Sequence, residues 1–187
     1  MKKIIFILFI LFLSCNSKIK TDIEVSEKIT QKPVNKENRY FDFDEVIHYR
    51  NENIDDLKDI YANQDKNEIG KLKMGVILDN VPSSIKDTIF INELGSIGFK
   101  KSIVSKSKFI GINDVFSTKN HKDCVYAACI YIYRDILIFK KKSKIVGIAK
   151  ICFECGGSQI YGAKQNTDNF GQSGDYQKLE TLLNEKK

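Results

Sequence analysis

The chain has 187 residues, with 30 Lys and Arg against 24 Asp and Glu, a formal net charge of +6. The lysines fall in short clusters at 100–101, 140–142 and the C-terminus, with no long block or basic stripe. That pattern reads as a solvated surface and argues against a nucleic-acid partner.

The N-terminus, "MKKIIFILFILFLSCNSK", places Lys2 and Lys3 before an unbroken apolar run from Ile4 to Leu13. A membrane span needs about twenty apolar residues, so a run this short has the form of a signal-peptide core. Ser14 follows as a small residue, directly before Cys15. The Leu13-Ser14-Cys15 ending resembles the lipobox of bacterial lipoproteins, with Phe12 where Leu or Val is commoner. The resemblance implies cleavage before Cys15, acylation of Cys15, and a membrane partner reached through the acyl chains. Each buried methylene of such chains contributes about 0.8 kcal/mol, so several chains anchor stably. In that family an aspartate after the cysteine marks inner-membrane retention; Asn16 stands there instead, which implies the outer membrane. The expected division is a signal peptide over 1–14, a flexible tether over 15–39, and one α+β domain over 40–187. Removing 1–14 takes two lysines and no acid, leaving 6 − 2 = +4.

The tether is polar and lacks apolar periodicity. Dense apolar residues begin at "YFDFDEVIHY". Ile54, Leu57, Ile60 and Tyr61 recur at helical spacing behind Asn53 as a candidate cap. "GKLKMGVILDN" fits either state, since Leu72, Met74, Val76 and Leu78 alternate as in a strand. Ser83 or Ser84 is expected to cap a helix burying Ile85, Ile89, Leu94 and Ile97. Ser105 or Ser107 is expected to cap another, with Phe109, Ile112 and Phe116 inward.

From Cys124 onward the chain becomes β-branched and aromatic. A hairpin is expected with strands near 129–139 and 145–153 around the lysine-rich turn, and "SQIYGA" as a third strand. The first of these strands is apolar on both faces, so both must be covered. A closing amphipathic helix starts at Ser173 or Asp175 and turns Tyr176, Leu179, Leu182 and Leu183 inward. The fold class is α+β: N-terminal helices packed on a C-terminal antiparallel β-meander, closing with a C-terminal helix.

Chemistry is sought first in the cysteines. With Cys15 assigned to the anchor, Cys124, Cys129, Cys152 and Cys155 form an even set with three possible pairings. Cys152 and Cys155 lie in "CFECGG", where a thioredoxin-like centre would need a following helix and a haem site a following histidine. Gly156 and Gly157 stand there instead. The motif resembles a zinc knuckle, which implies a four-cysteine zinc site completed by Cys124 and Cys129, with His121 as a substitute. The alternative is structural disulfides or buried thiols. Cys152 can then pair with Cys155 across a bend or with Cys129 across the hairpin.

"IYIYRDILIF" puts Arg134 on one strand face and Asp135 on the other. Buried charges need partners, and Glu154 or Lys150 on the adjacent strand are candidates. Arg134, Asp135 and Glu154 are thus candidate ligand-pocket residues, weighed against a structural ion pair. His48, among aromatics, reads as a packed or capping residue. No catalytic motif is visible. "YRDILIF…KIVGIAKICFEC" resembles the C-terminal core of uncharacterised lipoproteins of Gram-negative bacteria, a resemblance that implies no activity. The expectation is a lipid-anchored, non-enzymatic binding or envelope module without a cofactor. Its alternative is a thiol-dependent zinc or redox module.

Overall fold

The computed structural model describes residues 34–53, 57–63, 67–120 and 128–184. The chain divides into a unit over 1–30, which lies outside the described residues, and a unit over 31–187. Cys15 and the lipobox, His121 and Cys124, and the start of the helix expected from residue 54 also fall outside them.

In chain order the elements are β1 (Glu45–Arg50), α1 (Leu57–Asn63), α2 (Glu68–Leu78), α3 (Phe90–Glu93), β2 (Lys100–Ile103), α4 (Phe109–Val115), β3 (Asp135–Lys141), β4 (Lys144–Cys152), β5 (Gly157–Tyr161) and α5 (Asp175–Asn184). The strands form one antiparallel sheet in the order β2-β1-β3-β4-β5. The fold is α+β, with the C-terminal meander and closing helix in place. The sheet also recruits β1 and β2 from the chain before the meander, two strands that the expected order of helices then meander leaves out.

The β3–β4 hairpin turns on Lys142 and Ser143, both at positive φ (48° and 64°). Two left-handed residues match the twist of a tight hairpin, at a steric cost for side chains other than glycine. Asp44 offsets that cost, because its carboxylate accepts the Lys142 N–H at 3.0 and 3.2 Å.

β3 is covered on both faces. Leu137 and Phe139 join Phe41, Phe116, Ile112, Tyr176 and Leu179 in one cluster, under α4 and α5. Ile136 and Ile138 join Ile60, Val76, Ile77, Phe90 and Leu94 in the other, under α1, α2 and α3. Helices therefore flank the sheet on both sides, which explains a strand without a polar face.

One ambiguity is decided and three expectations are corrected in detail. The ambiguous 70–80 segment is helical: Asn67 caps α2 by accepting the Gly70 N–H at 2.8 Å, and the buried residues Val76 and Ile77 are adjacent, not alternate. The helix expected from Ser83 or Ser84 shrinks to Phe90–Glu93. The Asp87 carboxylate accepts the Ser83 N–H at 3.2 Å and the Asp87 N–H reaches the Ser84 carbonyl at 3.1 Å, holding a turn that competes with helix. Ile89 consequently points to solvent, 79% exposed. The strand expected from residue 129 begins only at Asp135: the Arg134 carbonyl still accepts the Asn51 N–H in register, but the Tyr133 N–H turns away to the Ile77 carbonyl at 2.9 Å. Finally, the fold starts before Tyr40. Arg39 bridges Ser117, and the Asn38 carbonyl accepts the Thr118 N–H at 2.8 Å.

Lys150 is the least expected core residue, with no exposed surface, opposite Ile136 in the sheet. Its ammonium donates to the carbonyl of Asp79 at 2.5 Å, at the C-terminal end of α2, and lies 4.4 Å from the Tyr133 ring centroid. The helix dipole and the ring quadrupole both favour a cation there. Burial nonetheless dominates and lowers its pKa to about 7.

Candidate functional site

The expected pocket residues separate. Arg134 and Glu154 pair near the β4–β5 turn, Nε to Oε1 at 3.4 Å, with Glu154 largely in solvent. Arg134 Nε is enclosed and makes no hydrogen bond. Asp135 is buried on the opposite side of the strand, where Oδ1 meets His48 Nε2 at 2.7 Å and Arg50 Nη1 at 3.6 Å. Lys150 does not serve Asp135, since it projects from the face shared with Ile136. The partners come from β1, whose sequence alternates Val46, His48 and Arg50 toward Asp135, Leu137 and Phe139. That signal was readable as a strand pattern once "EVIHYR" is placed beside β3.

The cysteines also differ from both expected pairings. Cys129 and Cys155 form a disulfide with Cα atoms 6.0 Å apart, while Cys152 is buried as a free thiol. Cys152 ends β4 opposite Gly157 and is buried, with its thiol donating to Glu154 Oε2 at 3.8 Å and not bonded to either of the other two sulfurs. Cys129 lies on the strap before β3, and Cys155 sits in the turn beyond the ladder; the two meet at the surface. The disulfide takes two of the four sulfurs that a zinc site would use. Among the described residues no three His, Cys, Asp or Glu side chains are grouped to hold a metal ion.

Beside that disulfide lies a cleft of about 390 Å³. Tyr131, Cys155 and the Gly156-Gly157 turn form one wall; Thr167, Asp168, Phe170, Gly171 and Gln172 form the other; Ser158, Ile160 and Tyr176 complete it. Two glycines shape it. The Tyr131 ring lies so close to Gly157 that a Cβ there would collide with it, and the Tyr176 ring stands equally close to Gly171. Gly171 has φ 94°, a conformation that a side chain would also strain. Bare backbone thus lets both rings sit flush at the rim.

The second tyrosine is held firmly. Tyr176 is edge-on to Phe170, with ring centroids 5.3 Å apart, and donates from its hydroxyl to Ser158 Oγ at 3.3 Å. Burial raises its pKa to about 12, so it stays a neutral donor across the physiological range. Tyr131 is held through its chain neighbour Ile130 by the disulfide at Cys129, and it is half-buried. Asp168 anchors the far wall, where Asn166 Nδ2 donates to its carboxylate at 3.0 Å and its own N–H returns to Asn166 Oδ1 at 2.7 Å. The cleft therefore presents aromatic surface, the hydroxyls of Ser158 and Thr167, an amide and a carboxylate around one concave space. No catalytic motif in the sequence marked it, because its residues come from four separated segments. No helix of the described residues is long and apolar enough to cross a membrane. No protein family, no curated protein and no solved structure matches this chain.

Proposed function

We propose that the chain is an exported, lipid-anchored, non-enzymatic binding module whose ligand site is the cleft beside the Cys129–Cys155 disulfide. The observation that carries the reading is the cleft's make-up. Its 390 Å³ falls within the range of pockets for small ligands. Aromatic walls pair with hydrogen-bonding groups of mixed sense: hydroxyls of Ser158 and Thr167 that donate and accept, the Asp168 carboxylate that accepts, and the Gln172 amide that does both. A ligand of complementary chemistry has a flat C–H face and a rim of hydroxyls, which is a small saccharide.

Export is supported by the lipobox-like N-terminus and by the disulfide, since structural disulfides persist in oxidising compartments. Anchoring through acylated Cys15, with the outer membrane ahead of the inner, completes the reading. Two measurements test it. Cys15→Ser is expected to abolish incorporation of labelled palmitate and release the protein from the membrane fraction. Calorimetric titration with maltose and chitobiose is expected to detect binding of at least one, lost in Tyr131→Ala while the fold is retained. Heat-silent titrations with both sugars would refute the saccharide assignment.

The thiol-dependent alternative requires Cys129 and Cys155 reduced. Intact mass with and without alkylation separates it: four alkylated thiols and one bound zinc would replace the binding-module reading.

A further inference from the structure

A second cavity, of about 180 Å³, opens beside the β1–β2 pair. His48, Ser102, Ser105 and Lys108 give it polar walls, and Leu182 and Leu183 of α5 close it with apolar ones. The construction around His48 is unusual for a packing residue. His48 is only 6% exposed, and its Nε2 is committed to Asp135 Oδ1 at 2.7 Å. An ionised carboxylate only accepts, so Nε2 carries the hydrogen, which leaves Nδ1 as the ring's second polar atom. Nδ1 has no hydrogen-bond partner among the described residues. The one enclosed side-chain atom without a hydrogen bond among the described residues is Arg134 Nε, and His48 lines the open space of this cavity.

The neighbours extend the pattern. Arg50 Nη1 lies 3.6 Å from the same Asp135 oxygen, tying β1 and β3 around the imidazole. Ser102 stands directly opposite His48 in the β1–β2 register and donates to the His48 carbonyl at 3.4 Å. Lys108 brings its ammonium to the cavity while holding the Leu182 carbonyl at 2.6 Å. The charged groups meeting here are thus Asp135 from β3, Arg50 from β1 and Lys108 from the turn before α4.

We propose that this cavity binds a short aliphatic carboxylic acid, with its carboxyl group on His48 Nδ1 and its chain against Leu182 and Leu183. The acid arrives as its carboxylate and the ring takes up one proton from water at Nδ1 as it binds, so the bound pair is a carboxylate beside an imidazolium held from behind by Asp135. No other bond forms or breaks. Charge-assisted hydrogen bonds of this kind are about twice as strong as neutral ones, which gives the acid its advantage over an alcohol of equal size. The site is separate from the tyrosine cleft and does not depend on it.

The test is titration of the full chain with butyrate, followed on the ring signals of His48, one of only two histidines. The expected result is a saturable shift, with butan-1-ol binding about tenfold more weakly. Lys108→Met is expected to weaken butyrate about fivefold. Ser102→Val changes an exposed position and is expected to weaken it about threefold, which keeps the test open where Lys108→Met fails to fold. Unshifted His48 signals, equal binding of butan-1-ol, or tighter binding of inorganic phosphate than of butyrate would each overturn the proposal.

Discussion

Replacing Lys150 by methionine isolates the electrostatics of the core. Lys150 titrates near 7 in the folded protein against an ordinary value of 10.5. The folded-state value is depressed, so folding disfavours the charged form. The resulting penalty is fully present below about 7 and disappears as pH rises to the unfolded value. Between pH 7 and pH 9 the unfolded chain keeps this proton while the native state sheds it. The unfolded state therefore binds more protons, and stability rises by about 2 kcal/mol across that interval. Lys150→Met removes the titrating group and keeps its length, while leaving the Asp79 carbonyl without its donor at a cost of about 1–3 kcal/mol. That cost is the same at both pH values, because a neutral amine also donates. Urea unfolding followed by circular dichroism at pH 7 and pH 9 gives the comparison. Stability of the parent relative to Lys150→Met is expected to rise by about 2 kcal/mol, and other titrating groups cancel in the difference. An unchanged difference between the two pH values would refute the reasoning and place the ammonium in contact with water.

Other perturbations have equally definite outcomes. Reducing Cys129–Cys155 opens a cross-link between residues 26 apart and is expected to lower stability by about 3 kcal/mol, read as a shift in the urea midpoint. It should also weaken any ligand of the tyrosine cleft, since Tyr131 loses its tether. Asp135→Ala leaves His48 and Arg50 facing a buried gap and is expected to cost about 3–5 kcal/mol, with Asp135→Asn milder. Gly157→Ala puts a methyl group into the Tyr131 ring. The ring has to swing away, so ligand affinity is expected to fall more than stability, which overpacking lowers by about 1–3 kcal/mol. Retained affinity in this variant would remove Tyr131 from the site.

Local signals made much of the fold legible. The lysine-rich turn, the β-branched runs on either side of it and the spacing of Tyr176 and Leu179 defined the hairpin and α5. Ile136 and Leu137, apolar on alternate faces, required cover on both, and two helical layers supply it. What stayed hidden depends on contacts far apart in the chain. "EVIHYR" becomes a strand because β3 offers it an edge, and "KKSI" because β1 does; neither has enough apolar residues to declare itself. The helix expected over 83–97 gives way to a turn fixed by Asp87, a side-chain bond that periodicity does not register. The site was hidden for the same reason. Arg134, Asp135 and Glu154 adjoin in sequence or register, yet the pleat sends Asp135 to His48 and leaves the other two at the rim. Tyr131, Ser158, Asp168 and Gln172 share no spacing rule and meet only through the disulfide and the loop before α5.

The cleft is the centre of this account, and chemical-shift mapping tests it most directly. Maltose and chitobiose are titrated separately into the isotope-labelled, oxidised protein while every backbone amide is followed. Binding at the proposed site predicts saturable shifts concentrated at Gly156–Ser158 and Thr167–Gln172, abolished by Tyr131→Ala. Shifts absent with both sugars, or centred on another surface, would contradict it.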